Sequence, residues 1–420
     1  MDKKLEFSRS KTFLLGFGFL GVSMIWAMYN AYLPVFLRET FQLPFSVVGA
    51  IMTIDNVFAI LLLPFLGALS DSTNTRIGKR RPYILIGAPL AMIFFILIPF
   101  ANKTQTLGLM MLTVIFMNLA MALYRTPVIA LMPDITPSKY RSHANGIINF
   151  MGGAGALLVY FGGKPLYDKD ISYPFIAAGT IMFLVCMLVV IFIKDDSYKQ
   201  SVAGTVETIS LKKSFYELMD NLKDVFKGEK SLLAVLVSIF FWFVGFNAIE
   251  TFFTSYAKFY MGMKESTGAL ILGFYSLAFL IAAIPAGLIG TKYSRNKAIR
   301  IGLFFLVFLM IVASFFKAFL PVAILFSIAG CAWAFINVNS LPMVVDMTTA
   351  EKLGGYTGLY YFFSQAANIV APPLAGLMID FSTAGGQRPA GYVSLLYFSA
   401  FFFLLSFIIM FFAKRGEAHE

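Results

Sequence analysis

Three ionisable side chains stand where ions are expensive. Asp55 in Ile54-Asp55-Asn56, Arg125 in Tyr124-Arg125-Thr126 and Glu250 in Ile249-Glu250-Thr251 each interrupt a long apolar stretch. A charge at mid-bilayer depth costs about 3 kcal/mol on insertion scales, so each residue calls for a reason. A carboxyl there can carry a proton, because loss of water disfavours its charged form. An arginine there can hold an anion or a mobile carboxylate through its planar fork. The competing reading is a static ion pair, or an acid kept protonated for packing. Asp55 and Glu250 are the candidate proton-coupling residues, with Asp55 the first choice. Asp55 is expected about a third of the way in from the outer surface, and Arg125 nearer the inner one.

Weaker polar groups recur at helical spacing around them. Asn118 and Arg125 are seven apart and share a helix face. Trp26, Tyr29 and Asn30 form one group, Asn247 precedes Glu250 by three, Asn337 and Ser340 form another stripe, and Tyr361, Gln365 and Asn368 lie along a fourth. Amides inside apolar segments also serve simply to join helices. Trp242 and Trp333 read as packing or interface residues rather than ligands.

These side chains must be held by membrane-spanning helices. Of 420 residues, 59% are hydrophobic and 13% charged, too apolar for a surface in water. Apolar blocks long enough to cross a bilayer fall at 12–37, 45–70, 82–101, 107–132, 143–163, 172–193, 231–257, 266–290, 298–317, 320–346, 354–380 and 391–413. The formal charge of +11 is not a nucleic-acid signal, since the cations sit in short loops on one side. Lys3, Lys4, Arg9, Arg76, Lys79, Arg80, Arg81, Lys139, Arg141, Lys292, Arg295, Lys297 and Arg300 all belong to that side, which places both termini in the cytoplasm. The polar start, Met1 to Lys11, lacks the pattern of a cleaved signal peptide.

The expected fold is all-α, with twelve transmembrane helices in two six-helix bundles. Residues 1–193 and 231–420 form the bundles, and 194–230 a cytoplasmic linker. The halves echo one another. Asn30-Ala31 matches Asn247-Ala248, Pro64 matches Pro285, and the stretch Pro127 to Asp134 resembles Ser340 to Asp346, with offsets near 217, 221 and 212. Gly152, Gly153 and Gly155, with Gly162 and Gly163, are suited to close helix approach or bending, and Pro372-Pro373 should break or kink the eleventh span.

The second loop, Gly67-Ala-Leu-Ser-Asp71-Ser-Thr-Asn-Thr-Arg76-Ile-Gly78-Lys79-Arg80-Arg81-Pro82, resembles the loop signature of the major facilitator superfamily. Its spacing, with the block Tyr124 to Asp134, is similar to the sucrose-transporter family and the glycoside–pentoside–hexuronide:cation symporters. The resemblance covers both halves. It implies secondary active transport by alternating access, and proton-coupled symport of a sugar or glycoside, a disaccharide favoured. It also implies a central cavity lined by spans one, four, seven and ten. On that reading Trp26, Tyr29, Asn30, Asn118, Arg125, Asn247, Asn337, Tyr361, Gln365 and Asn368 are substrate-binding candidates. The amides and arginine offer donors and acceptors for hydroxyls, and the aromatic rings offer a flat face for a sugar ring. Gly67, Asp71, Arg76, Gly78, Arg80 and Arg81 are the gating-loop candidates, a charge cluster able to lock helix ends in one state and release them in another; setting topology is their plainer role. The melibiose-permease branch places acids around the proline of span two. Here Leu61, Leu62 and Leu63 precede Pro64, which favours protons over sodium.

Other classes are less well served. Sodium-coupled sugar symport and export of amphipathic compounds are the rivals among transporters, and the exporter would want a more apolar cavity. A nutrient sensor on a transporter scaffold usually carries a larger cytoplasmic extension. An enzyme is not expected: His143 and His419 are the only histidines, and no His-Glu-x-x-His is present. Cys186 and Cys331 both lie in apolar blocks, so no disulfide framework or metal cluster is expected. The reading needs no cofactor beyond the coupling ion. Its partners are a small-molecule substrate and the lipid of the cell membrane, a bacterial inner membrane on the compact loops, around a monomer.

Overall fold

The computed structural model describes residues 8–137, 140–193, 223, 230–347, 353–384 and 388–416. Most of the proposed linker, with Lys3, Lys4, Lys139 and His419, lies outside these residues. Among the described residues the chain is helical, and twelve helices are long and apolar enough to cross a membrane.

In chain order the α-helices are α1 (Arg9–Glu39), α2 (Phe45–Met52), α3 (Ile54–Ser72), α4 (Arg81–Lys103), α5 (Leu107–Ile135), α6 (Arg141–Leu157), α7 (Gly163–Tyr167) and α8 (Ser172–Phe192). The second half continues with α9 (Lys230–Phe259), α10 (Glu265–Lys292), α11 (Arg295–Ala313), α12 (Phe319–Val345), α13 (Leu353–Thr383) and α14 (Ser394–Ile409). The ends are where turn chemistry puts them. Gly78, at φ +107°, occupies a left-handed position that disfavours a side chain, in a turn closed by Gly78 N–H to Thr75 O at 3.0 Å. Ser294 caps α11 by accepting from Lys297 N at 3.0 Å.

Three local features depart from the sequence reading. The span expected over 45–70 is interrupted at Thr53, between α2 and α3. There the Thr53 hydroxyl donates to Ala50 O at 2.8 Å, and Thr53 N–H donates to the same oxygen at 3.3 Å. A side chain thus competes for the backbone ladder. The fifth span passes through a π-helical turn, Leu158–Gly162, ahead of α7. Of the break or kink expected at Pro372 and Pro373, the break is absent: α13 runs through both.

By contacts the described chain resolves into two units, Met1–Tyr29 with Ile54–Ile209, and Asn30–Thr53 with Ser210–Glu420. In the first unit α4 packs on α5 and α8, and α3 on α5. The second unit repeats this with α11 on α12 and α14, and α10 on α12. Small residues set the closest approaches. A Cβ on Gly155 would stand 2.4 Å from Leu20 O, so α1 and α6 meet backbone to side as expected; Gly162 has open space, and its stretch carries the π turn instead.

Residues 30–53 join the second unit because α2 lies on α13. A Cβ on Gly49 would meet Pro372 O at 2.3 Å, and one on Gly376 would meet Phe45 O at 2.1 Å. The Asp380 carboxylate accepts from Phe45 N and Ser46 N, both at 2.8 Å, and from the Ser46 hydroxyl at 2.7 Å. A carboxylate on the first N–H groups of a helix satisfies donors that have no partner within the helix. Nearby, Lys258 pairs with both Glu39 and Glu265.

Candidate functional site

The break at Thr53 places Asp55 in the first turn of α3, where it meets residues from α1 and α5. Trp26, Asp55, Ala59, Leu63, Asn118, Ala122 and Arg125 line one cavity of about 10 Å³ in the first unit. That is room for about one water, not for a sugar ring. Asp55 and Arg125, expected at different depths, therefore share one site, and their charges interact. The Arg125 guanidinium lies 5.9 Å from the centroid of the Trp26 ring. Trp26 meets Tyr29 edge-on at 5.5 Å, and Asn118 Nδ2 donates to the Tyr29 hydroxyl at 3.3 Å. Asn56 Nδ2 donates to Asp55 Oδ1 at 2.9 Å.

Two polar atoms at this cavity are left over. Trp26 Nε1 is a buried donor and Asn118 Oδ1 a buried acceptor, and neither has a hydrogen-bond partner within the protein. Orphaned buried groups are costly and call for an explanation. A donor and an acceptor beside an acid and an arginine can serve a hydroxylated ligand or an ordered water.

The second unit holds a separate polar chain. Glu250 accepts from Asn30 Nδ2 at 3.3 Å, and Tyr275 lies within reach of its charge. Asn247 Nδ2 donates to Phe243 O at 2.7 Å and to Asn368 Oδ1, while Asn368 Nδ2 donates to Gln365 Oε1 at 3.0 Å. So Asn30 and Glu250 form one pair, and Asn247, Asn368 and Gln365 one row. Asn337 stands half-buried, its carbonyl accepting from the Ser340 hydroxyl at 2.9 Å. Tyr361 is 52% exposed and meets Tyr360 edge-on. Trp242 is fully buried, and Trp333 stacks on Phe246 at 4.3 Å, both as packing residues.

The loop cluster is centred on Arg80. This buried side chain donates to Ser70 and Asp71, at the end of α3, and from Nε to Asp134 Oδ2, at the end of α5, at 3.1 Å. Arg81 reaches Ile193 O and Ile191 O at the end of α8, at 2.9 and 3.4 Å. Arg76 is exposed, and Gly67 needs no close approach, since a Cβ there would meet only Thr126 at 3.8 Å. Sequence reasoning missed Asp134 as a member. It also missed the counterpart in the second unit, where Arg295 at the start of α11 pairs with Asp346 at the end of α12. The signal was available, because Asp134 and Asp346 close the repeated stretch.

The comparisons with known proteins agree with this architecture. The family model of the Major Facilitator Superfamily matches residues 15–318 and 260–420. An isoprimeverose transporter of Lactiplantibacillus pentosus is 24% identical over 278 residues, a match covering 62% of this chain and 55% of that protein. An uncharacterised symporter of Bacillus subtilis, YnaJ, is 23% identical over 419 residues, covering 90% of this chain and 85% of that one. Among solved structures, the nucleoside transporter NupG superposes with a TM-score of 0.74 at 14% identity, covering 97% of this chain and 100% of that one, a likeness of fold.

Proposed function

The chain belongs to the Major Facilitator Superfamily, and we propose that it takes up a sugar or glycoside, a disaccharide being favoured, together with a proton. The observation that carries the proton part of this reading is the Asp55–Arg125 site, with the unpartnered donor of Trp26 and acceptor of Asn118 beside it; a sugar would reach these groups only in a state with the site open wider than one water. The sugar relative at 24% identity supports the substrate class. Both termini lie in the cytoplasm, and residues 1–193 and 231–420 are the two halves of the carrier.

In this mechanism the empty carrier holds Asp55 as a carboxylate against Arg125. Protonation from outside neutralises Asp55 and frees the guanidinium to bind substrate hydroxyls. The loaded carrier then reorients without moving a bare carboxylate through hydrocarbon. Release of sugar returns Arg125 to Asp55, which favours the charged form and expels the proton inward. Glu250, held by Asn30, is the second candidate for the same role.

The test is transport by purified protein in liposomes. Asp55→Asn fixes the neutral form, so it should keep exchange between equal sugar pools and lose accumulation against a gradient. Sugar-driven acidification by the wild type, absent in this variant, completes the expectation. Proton movement at normal stoichiometry in Asp55→Asn would pass the role to Glu250. Sugar uptake that responds to an imposed sodium gradient, with no response to a proton gradient, would end the proton reading.

A further inference from the structure

The second unit carries a cationic groove that the transport reading does not use. Asn296 Nδ2 donates to Met410 O at 3.3 Å and to Ala413 O, bringing the chain after α14 against the start of α11. The Ser231 hydroxyl accepts from Lys414 N at 2.8 Å and Arg415 N at 3.0 Å, which holds the same segment beside α9. Lys297, Arg300, Lys414 and Arg415 therefore gather at one end of this unit. Neither α11, nor α14, nor the turn Met410–Phe412 contains an acidic residue.

A groove of about 420 Å³ opens there, lined by Lys297, Arg300, Ile301, Phe304, Phe305 and Phe407. Its two ends differ in chemistry. The Arg300 guanidinium lies 3.5 Å over the centroid of the Phe411 ring, and its Nε is buried without a hydrogen-bond partner. Stacking fixes the plane of the fork, and its unmet Nε donor is a group that an anion in the groove would satisfy. Within about one and a half turns of Arg300 along α11, Ile301, Phe304 and Phe305 are 51%, 56% and 45% exposed. From Lys297 to Phe305 is roughly 12 Å of helix rise, the length of a stretch of acyl chain.

We propose that this groove is a binding site for an anionic phospholipid, its phosphate on Arg300 and Lys297 and an acyl chain along Ile301, Phe304 and Phe407. The charge decides among occupants. A zwitterionic lipid offers the same phosphate but brings an ammonium toward the two cations, a free anion leaves the aromatic walls uncovered, and a neutral detergent brings no anion to Arg300 and Lys297. Each cation near an anionic surface is worth about 1 kcal/mol, a preference of roughly fivefold apiece.

The experiment places an indole in the groove with F304W in the full-length protein in detergent micelles. Brominated phosphatidylglycerol or brominated phosphatidylcholine is then titrated in, and the quenching in the unsubstituted protein is subtracted. The expected result is half-quenching at a mole fraction about 25-fold lower for phosphatidylglycerol, fivefold from each of the two cations. Adding Lys297→Gln and Arg300→Gln should equalise the two lipids, while Arg300→Lys should retain most of the preference. Equal quenching by both lipids in the parent would overturn the proposal, leaving only the ordinary lipid belt. Displacement of phosphatidylglycerol by millimolar glycerol phosphate would overturn it in favour of a free-anion site. Retention of the preference in the double glutamine variant, with an unchanged gel-filtration profile, would place the lipid elsewhere.

Discussion

Removing the guanidinium of Arg80 should weaken the first unit and slow transport without abolishing binding. The Arg80 side chain is 6% exposed, whereas Asp71 and Asp134 are 47% and 31% exposed. Arg80→Ala strips the cation from two carboxylates and an acceptor from none, so water can recover part of the loss. Breaking a fully buried ion pair costs about 3–5 kcal/mol; with the carboxylates half in solvent, about 2 kcal/mol is expected. For a unit of this size that is a fall of about 4–8 °C in thermal midpoint. Arg80→Lys should recover less than half, because an ammonium cannot reach Ser70, Asp71 and Asp134 with the geometry of a planar fork. Thermal unfolding in detergent gives the midpoint, and initial rates in liposomes give turnover and half-saturation. Turnover should fall about tenfold or more, with half-saturation within a few-fold, since the cluster joins helix ends away from the cavity. Wild-type stability and turnover in Arg80→Lys would refute the fork argument. A large loss of affinity at unchanged turnover would refute the gating role.

Arg125→Ala and Arg125→Lys should both reduce sugar binding at least about tenfold, measured by equilibrium dialysis of labelled sugar, because the fork faces both Asp55 and Trp26; normal binding by Arg125→Ala would sink its assignment. Asp380→Ala removes three acceptor contacts from the start of α2, a loss of about 1–3 kcal/mol. Maleimide labelling of Val48→Cys, in a background free of Cys186 and Cys331, should then speed up about tenfold, and an unchanged rate would show that Asp380 does not hold α2 down. Asp170 accepts from Lys103 Nζ, at 2.8 Å to each oxygen, and from Ser172 N at 2.7 Å, and these bonds hold its carboxyl below the usual range. A carboxyl with a depressed folded value stabilises above its unfolded value, near 3.9, and loses that contribution as pH falls through the folded one. The thermal midpoint of Asp170→Asn should therefore vary less than wild type between about pH 5 and 2, and parallel curves would contradict the linkage.

The twelve spans were legible because apolar length is written directly into composition, and the repeat was legible in the order of its short matches. The interruption at Thr53 was not. Ile51, Met52, Thr53 and Ile54 contain no glycine or proline, and the break depends on a hydroxyl bonding three residues back. The π turn has no proline at its start and reads as continuous helix for the same reason. Of the break or kink expected at Pro372-Pro373, the break is absent, since helix neighbours tolerate the missing N–H groups. At the site, Asp55, Arg125 and Asn118 were visible singly, because charge and amides stand out against apolar sequence. That Asn118 and Arg125 share a face was legible from their spacing; that Asp55 joins them was not, since the break moves Asp55 to a helix start. Arg295 was read as a loop charge, and Asp380, at the end of the eleventh span, drew no reading; what distinguishes them is a partner 51 or 335 residues away.

Where α2 crosses α13, the two chains touch through peptide groups rather than side chains, at Gly49 and Gly376. A peptide oxygen has no rotamer to yield, so a single methyl at either position cannot be absorbed by repacking. It forces α2 and α13 apart. On the proposed orientation this crossing lies at the outer end of the carrier, where the sugar would come in. Gly49→Ala or Gly376→Ala should then act as a wedge at this crossing, parting two helices that touch in this structure while leaving each helix intact. On the proposed cycle, a carrier so wedged should bind sugar from outside and fail to pass it on.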